Sequence, residues 1–134
     1  MNKNQNNAKE LLNRGAALVI VTSGGVLTFN ERGIKTLLCN QPALKGAVVA
    51  DKVVGKAAAM MMVRGGVTEV YAEIISKPAL EVLTSHNVIC DYGTLVPNII
   101  NRDKTGICPM EQAVTGVDDI QKAYEILTAK TGLK

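Results

Sequence analysis

Between Gly46 and Gly65 the chain reads GAVVADKVVGKAAAMMMVRG, and no other stretch restricts the fold as tightly. Ala47 to Ala50 is a short apolar run of the kind that forms a buried strand. Asp51 follows at a position suited to a helix N-cap. From Lys52 to Arg64 the chain is almost entirely Ala, Val and Met apart from Lys52 and Lys56, with apolar residues on every side of a helical wheel. A helix that is apolar all round is buried over most of its surface. Gly65-Gly66 supplies the stop, because glycine takes the left-handed conformation common just past a helix end. The expectation is a strand, a sharp turn carrying Asp51 and Lys52, and a buried helix over Lys52–Arg64. One side of that helix packs on a sheet. The other needs cover from this chain or from a second copy, and a homodimer is expected on that ground.

The flanking sequence alternates between strand and helix patterns. Residues 2–14 read as a helix with Ala8, Leu11 and Leu12 on one side and Gly15 as its stop. Ala16 to Thr22 is an apolar strand, Ser23-Gly24-Gly25 a tight turn, and Val26 to Phe29 the returning strand. Asn30 is placed to cap a short helical stripe of Ile34, Leu37 and Leu38 that ends before Pro42. After the central stretch come a strand over Val67–Ser76 and a helix from Lys77-Pro78 to His86-Asn87. A strand over Val88–Tyr92 is interrupted by Gly93, and Leu95 to Gly106 is the longest polar loop. A helix begins at Cys108-Pro109 and runs to Thr115-Gly116. A last helix carries Ile120, Ala123, Tyr124 and Leu127, with Asp118 as its cap. This is one α/β domain over residues 1–134, with 131–134 as a tail. It has an opening hairpin, one mixed sheet that is mostly parallel in its second half, and helices on both faces.

Composition removes several function classes. Aromatic residues are 3% of the 134, with no Trp, which leaves no stacking platform for single-stranded nucleic acid. The net charge of +3 comes from scattered lysines, whereas a dedicated nucleic-acid surface clusters its basic residues. No apolar run reaches the length of a membrane span, and the polar start MNKNQNNAKELLNRG lacks a signal-peptide core, so a cytoplasmic protein is expected. Cys39, Cys90 and Cys108 are odd in number and widely spaced, which is not a disulfide framework.

Three sets of residues carry candidate chemistry. His86, Cys90 and Cys108 are the only zinc-type donors worth weighing, and each has a plainer role: His86 at a helix end, Cys90 inside a strand, Cys108 at a helix start. No metal or cofactor is expected. Cys108-Pro109-Met110-Glu111 reads as a helix start whose backbone N–H groups suit an anion, with Thr105 and Gly106 just before it. Asp51, Lys52 and Lys56 form the third set. On a helix so apolar elsewhere, two lysines four apart point toward water or an anionic ligand. Lys52, if desolvated, or Cys108, if acidified by its helix, would instead serve as a nucleophile. A Met-rich helix used purely as an interaction seam is the remaining alternative.

The order of elements, together with the phrases ERGIKTLL, VVADKVVGKAAAMMMV and GICPMEQAV, resembles the cytidine-deaminase-like fold, and in particular small bacterial proteins that share it without its zinc signature. The resemblance spans about residues 15–130 and implies a three-layer α/β/α domain with a five-stranded sheet. In the enzymes, a His-Ala-Glu or Cys-Ala-Glu motif opens the buried helix, a Pro-Cys-x-x-Cys motif opens a later one, and the Glu shuttles protons. Here the first motif falls on Ala50-Asp51-Lys52. The second falls on Ile107 to Glu111, with Cys108 retained and Glu111 where the second cysteine would stand. That pattern argues against hydrolytic deamination. Asn30-Glu31 is similar to the Asn-Glu with which nucleoside deaminases hold a ribose. The implied site gathers Asn30, Glu31, Asp51, Lys52, Lys56, Cys108 and Glu111 with Asn101, Arg102, Thr105 and Gly106 of the polar loop. Its expected ligand is a nucleotide or sugar phosphate.

Overall fold

The computed structural model describes residues 3–30, 34–99 and 109–132. In chain order the elements are α1 (Lys3–Asn13), β1 (Leu18–Thr22), β2 (Gly25–Phe29), α2 (Ile34–Cys39), a 3-10 turn over Gln41–Leu44, β3 (Val48–Val54), α3 (Lys56–Gly65), β4 (Glu69–Ser76), α4 (Lys77–Ser85), β5 (Ile89–Val96), α5 (Pro109–Ala113) and α6 (Ile120–Thr131). The strands form one mixed sheet in the order β2-β1-β3-β4-β5. β1 runs antiparallel to both β2 and β3, and β3, β4 and β5 run parallel. The expected hairpin is present. Ser23 and Gly24 turn the chain, and the Thr22 hydroxyl accepts from Gly24 N at 3.1 Å and donates to Gly25 O at 3.1 Å.

Two cores lie on opposite faces of the sheet. On one face, among the described residues, α1 packs through Ala8 and Leu12 onto Val19, Val21, Val48, Ala50 and Tyr71. On the other face α2, α3, α4 and α6 enclose the larger core around Ile20, Val49, Val70, Ala72 and Ile75. At the centre of that core is α3, with Met60, Met61 and Met62 all essentially inaccessible. Burying a side chain of that size contributes about 1.5–3 kcal/mol. Cover for α3 comes from α4, α6, α2, α5 and the 3-10 turn of the same chain. The surplus apolar surface expected to drive a dimer is therefore covered internally, and the argument for a dimer through this helix falls.

Three boundaries move from their expected places. The central strand continues through Asp51 and Lys52 to Val54, and the buried helix starts at Lys56 with Gly55 as its N-cap residue. Asp51 is thus a strand residue, opposite Leu18 and Ala72, and not a helix cap. The β-branched pair Val53-Val54 favours the strand, and Gly55 breaks it. β5 runs on through Gly93 to Val96, so its second half occupies what reads as loop. Asp119 rather than Asp118 caps α6, its Oδ1 accepting from Lys122 N at 3.1 Å. The N-cap of α4 is Ser76, which is buried and accepts from Ala79 N at 3.2 Å.

The parallel strands share one irregularity. Their pairing passes over Lys52, Glu73 and Gly93, which lie side by side in β3, β4 and β5. Alternation breaks at the same level. Ala72 and Ile75 both belong to the helix-side core, although strict period two would place Ile74 there. Val49 and Val54 repeat the break in β3. A Cβ on Gly93 would lie 2.9 Å from the Glu73 carbonyl oxygen, so glycine is what lets β5 approach here.

Candidate functional site

The carboxyl ends of β3 and β4 lead into the starts of α3 and α4, the region of an open α/β sheet where ligands bind. A helix start leaves its first backbone N–H groups without partners inside the helix. In α3 two of these are taken by a residue far away in sequence. Glu111 on α5 accepts from Lys56 N at 2.6 Å through Oε1 and from Ala57 N at 2.8 Å through Oε2. The carboxylate also lies at the positive end of the α3 dipole, which favours it electrostatically. A Cβ at residue 55 would overlap the carboxylate, coming within 2.5 Å of Cδ and 2.7 Å of Oε2, so Gly55 makes the seat possible. The Lys56 ammonium turns back across the junction and donates to Val114 O at 3.1 Å. α3 thus donates three times to this segment, from Lys56 N and Ala57 N to Glu111 and from Lys56 Nζ to the carbonyl of Val114 just past α5.

Of the residues expected to form the site, Lys56 and Glu111 are brought into direct contact. Glu111 does not stay within its own helix start but reaches across to α3. Lys52 is half-buried in β3 and shares no helix face with Lys56. Asp51 lies in the same strand, half-buried. Asn30 is exposed at the end of β2. Glu31, Asn101, Arg102, Thr105, Gly106 and Cys108 lie outside the described residues. Gly55 and the Val114 carbonyl also take part, beyond the residues expected from the sequence. A glycine inside an otherwise apolar helical pattern was the available signal for the first.

Beside Lys56 a groove of about 420 Å³ runs between α3 and α4 toward the start of α6, lined by Met60, Val82, His86, Asp118 and Ile120 among others. His86 follows α4, and its Nδ1 lies 2.9 Å from Val82 O, a contact that caps a carbonyl at the helix end. Burial pushes the Cys90 thiol up to about 11, and the neighbouring Asp91 charge adds to the effect. Among the described residues, no three His, Cys, Asp or Glu side chains gather to hold a metal ion. No described helix is long and apolar enough to cross a membrane.

Fold and junction together define an α/β protein with a five-stranded mixed sheet, helices on both faces and a carboxylate clasp where two helix starts meet. A family model described as a domain of unknown function, DUF1893, matches residues 6–131, and the chain belongs to that family. The crystal structure of a DUF1893 family protein from Thermotoga maritima has the same fold, with a TM-score of 0.85 and 27% sequence identity over 97% of this chain and 92% of that chain. No curated protein matches.

Proposed function

We propose that this is a deaminase-like domain in which the zinc junction has been replaced by a carboxylate clasp, and that it binds a nucleotide-like ligand without hydrolysing it. The observation that carries this reading is the seat of Glu111 on the start of α3. In the deaminase pattern a zinc ion bridges the starts of the buried helix and of the later one. Here the buried helix opens Lys56-Ala57-Ala58, with lysine where a His or Cys ligand would stand and Ala58 where the proton-shuttling Glu would stand. This shifts the comparison from Ala50-Asp51-Lys52, which lies in β3. Glu111, in place of the second cysteine, holds the two helices together by hydrogen bonds instead of coordination.

The clasp also narrows the ligand. A phosphate cannot use the first N–H groups of α3 while Glu111 holds them. Lys56 still has capacity, because an ammonium has three donors and Val114 O takes one. The reading places phosphate at Lys56 and the sugar or base along the neighbouring groove. The protein works as a homodimer whose seam lies elsewhere than α3.

Thermal shift with nucleosides and nucleoside mono- and diphosphates tests the binding, since a ligand of the folded state raises the melting temperature. The expected result is a shift for phosphorylated compounds that Lys56→Ala removes. No shift with any compound at millimolar concentration, or a shift indifferent to Lys56→Ala, overturns the site. About one zinc per purified chain by elemental analysis would overturn the clasp reading itself.

A further inference from the structure

The terminal strand β5 carries eight residues, the longest run of backbone in the sheet with one side free of any described strand. Natural proteins blunt such an edge with lysine, proline, brevity or cover. Ile89-Cys90-Asp91-Tyr92-Gly93-Thr94-Leu95-Val96 contains no lysine, arginine or proline. Its large apolar side chains are open: Ile89 is 61% exposed, Tyr92 41% and Leu95 37%. Ile74 of β4, 36% exposed, lies beside Thr94 on the α1 side.

We propose that β5 pairs antiparallel with β5 of a second copy of this chain, making a continuous sheet of both copies, with the twofold axis between Tyr92 and Gly93. This supplies the seam for the homodimer of the preceding section and rests on that part of it. It does not depend on ligand binding, which can fail without touching it.

The irregularity at Gly93 selects the register. Residues directly opposite in an antiparallel pair point to the same face. Before Gly93, Cys90 packs on the helix side of the sheet, while Ile89 and Asp91 face the α1 side. After Gly93 the alternation is offset. Leu95, beside Ile75, is on the helix side, while Thr94 and Val96 are on the α1 side. A twofold between Tyr92 and Gly93 sets Ile89 opposite Val96, Cys90 opposite Leu95 and Asp91 opposite Thr94. Every one of these pairs agrees in face. Centring the axis on a single residue, as in a regular strand, would put Cys90 opposite Thr94 on the wrong face.

Chemistry agrees with geometry in the same register. Ile89–Val96 and Cys90–Leu95 are apolar pairs. Asp91 meets a hydroxyl donor in Thr94, and the two Asp91 charges do not face each other. Tyr92 covers Gly93 of the partner subunit, the pairing by which an aromatic compensates a strand glycine. All eight residues are used. That self-match favours a second copy over an unrelated extended peptide.

Light scattering should give twice the chain mass of 14.2 kDa for the unmodified protein and the single mass for Thr94→Glu, which sets a like charge opposite Asp91 of the partner subunit, with far-UV circular dichroism unchanged. Thr94 is exposed, so the charge is tolerated in the monomer. Register is read separately. With Cys39 and Cys108 changed to Ser, Leu95→Cys should form an oxidised dimer through Cys90 of the partner subunit, and Thr94→Cys should form far less. A monomer mass for the unmodified chain, a dimer that survives Thr94→Glu, or stronger crosslinking at 94 than at 95 overturns the proposal.

Discussion

Gly55 and Glu111 are a matched pair: the carboxylate can lie across the first two N–H groups of α3 only because residue 55 has no side chain. Gly55 has φ −99 and ψ 178, a conformation open to any residue, so its requirement is spatial and not conformational. Gly55→Ala should therefore displace the carboxylate and cost about 1–2 kcal/mol, the usual price of a lost cap. Glu111→Ala should cost a similar amount by leaving two N–H groups without partners. Because both remove one interaction, the double variant should cost far less than the sum of the singles. Urea denaturation of the four proteins measures this. Strict additivity would show that the glycine serves something other than the clasp.

This pair also explains what could be read from the sequence. Apolar runs and turn residues placed all five strands and the hairpin, and Lys77-Pro78 and Gly66 marked real helix ends. Asp51 carries the local signature of a cap, whereas the working cap of α3 comes from Glu111, 55 residues beyond Lys56. Capping patterns are local in sequence and register nothing that arrives through tertiary packing. β5 reads as shorter than it is for a related reason. Gly93 reads as a strand breaker, but in place it is where one strand comes close to the next.

Arg64 at the end of α3 holds α6. Its guanidinium lies 3.5 Å from the centre of the Tyr124 ring, Nε donates to Gln121 Oε1 at 3.1 Å and Nη1 donates to Gln41 Oε1 at 3.0 Å. Gln41 in turn donates to Leu37 O and Met61 O, each at 3.0 Å. A planar fork makes these contacts together and an ammonium cannot. Arg64→Lys should lower stability by about 1–2 kcal/mol despite keeping the charge. Calorimetry reads the loss. An unchanged melting temperature would mean that α6 is held by its apolar contacts alone.

Gly65 packs against Leu44, where an added Cβ would lie 2.5 Å from Leu44 Cβ and 2.7 Å from Cδ1. Leu44 is fully buried and has little room to yield. Gly65→Ala should cost about 1–3 kcal/mol through overpacking. Combining it with Leu44→Ala should recover part of the loss, which thermal denaturation of the pair would reveal.

Cys90 gives the fold a dependence on alkaline pH. In the unfolded chain the thiol ionises near its ordinary 9.0, while burial and then Asp91 raise it to about 11 in the folded protein. The unfolded state thus releases its proton first as pH rises. The stabilisation is fully present below pH 9 and is lost between about 9 and 11. The thiol is partly open to solvent, so the effect is discounted to on the order of 1 kcal/mol. Cys90→Ala should flatten that part of the stability profile. At pH 8, iodoacetamide should label exposed Cys39 well before Cys90.

The two faces of the sheet are unequally guarded. One is closed by several helices that also brace each other. The other depends on α1, anchored by Ala8 and Leu12 with Lys9 resting 4.8 Å from the centre of the Tyr71 ring. In the terms of native-state hydrogen exchange, α1 should open by itself, at a free energy well below that of global unfolding. Each opening would lay bare Val19, Val21, Val48 and Ala50, a strip of strand surface made to be covered. The chain's resistance to proteolysis and to aggregation would then be set less by its methionine-filled centre than by how often one mostly polar helix lets go.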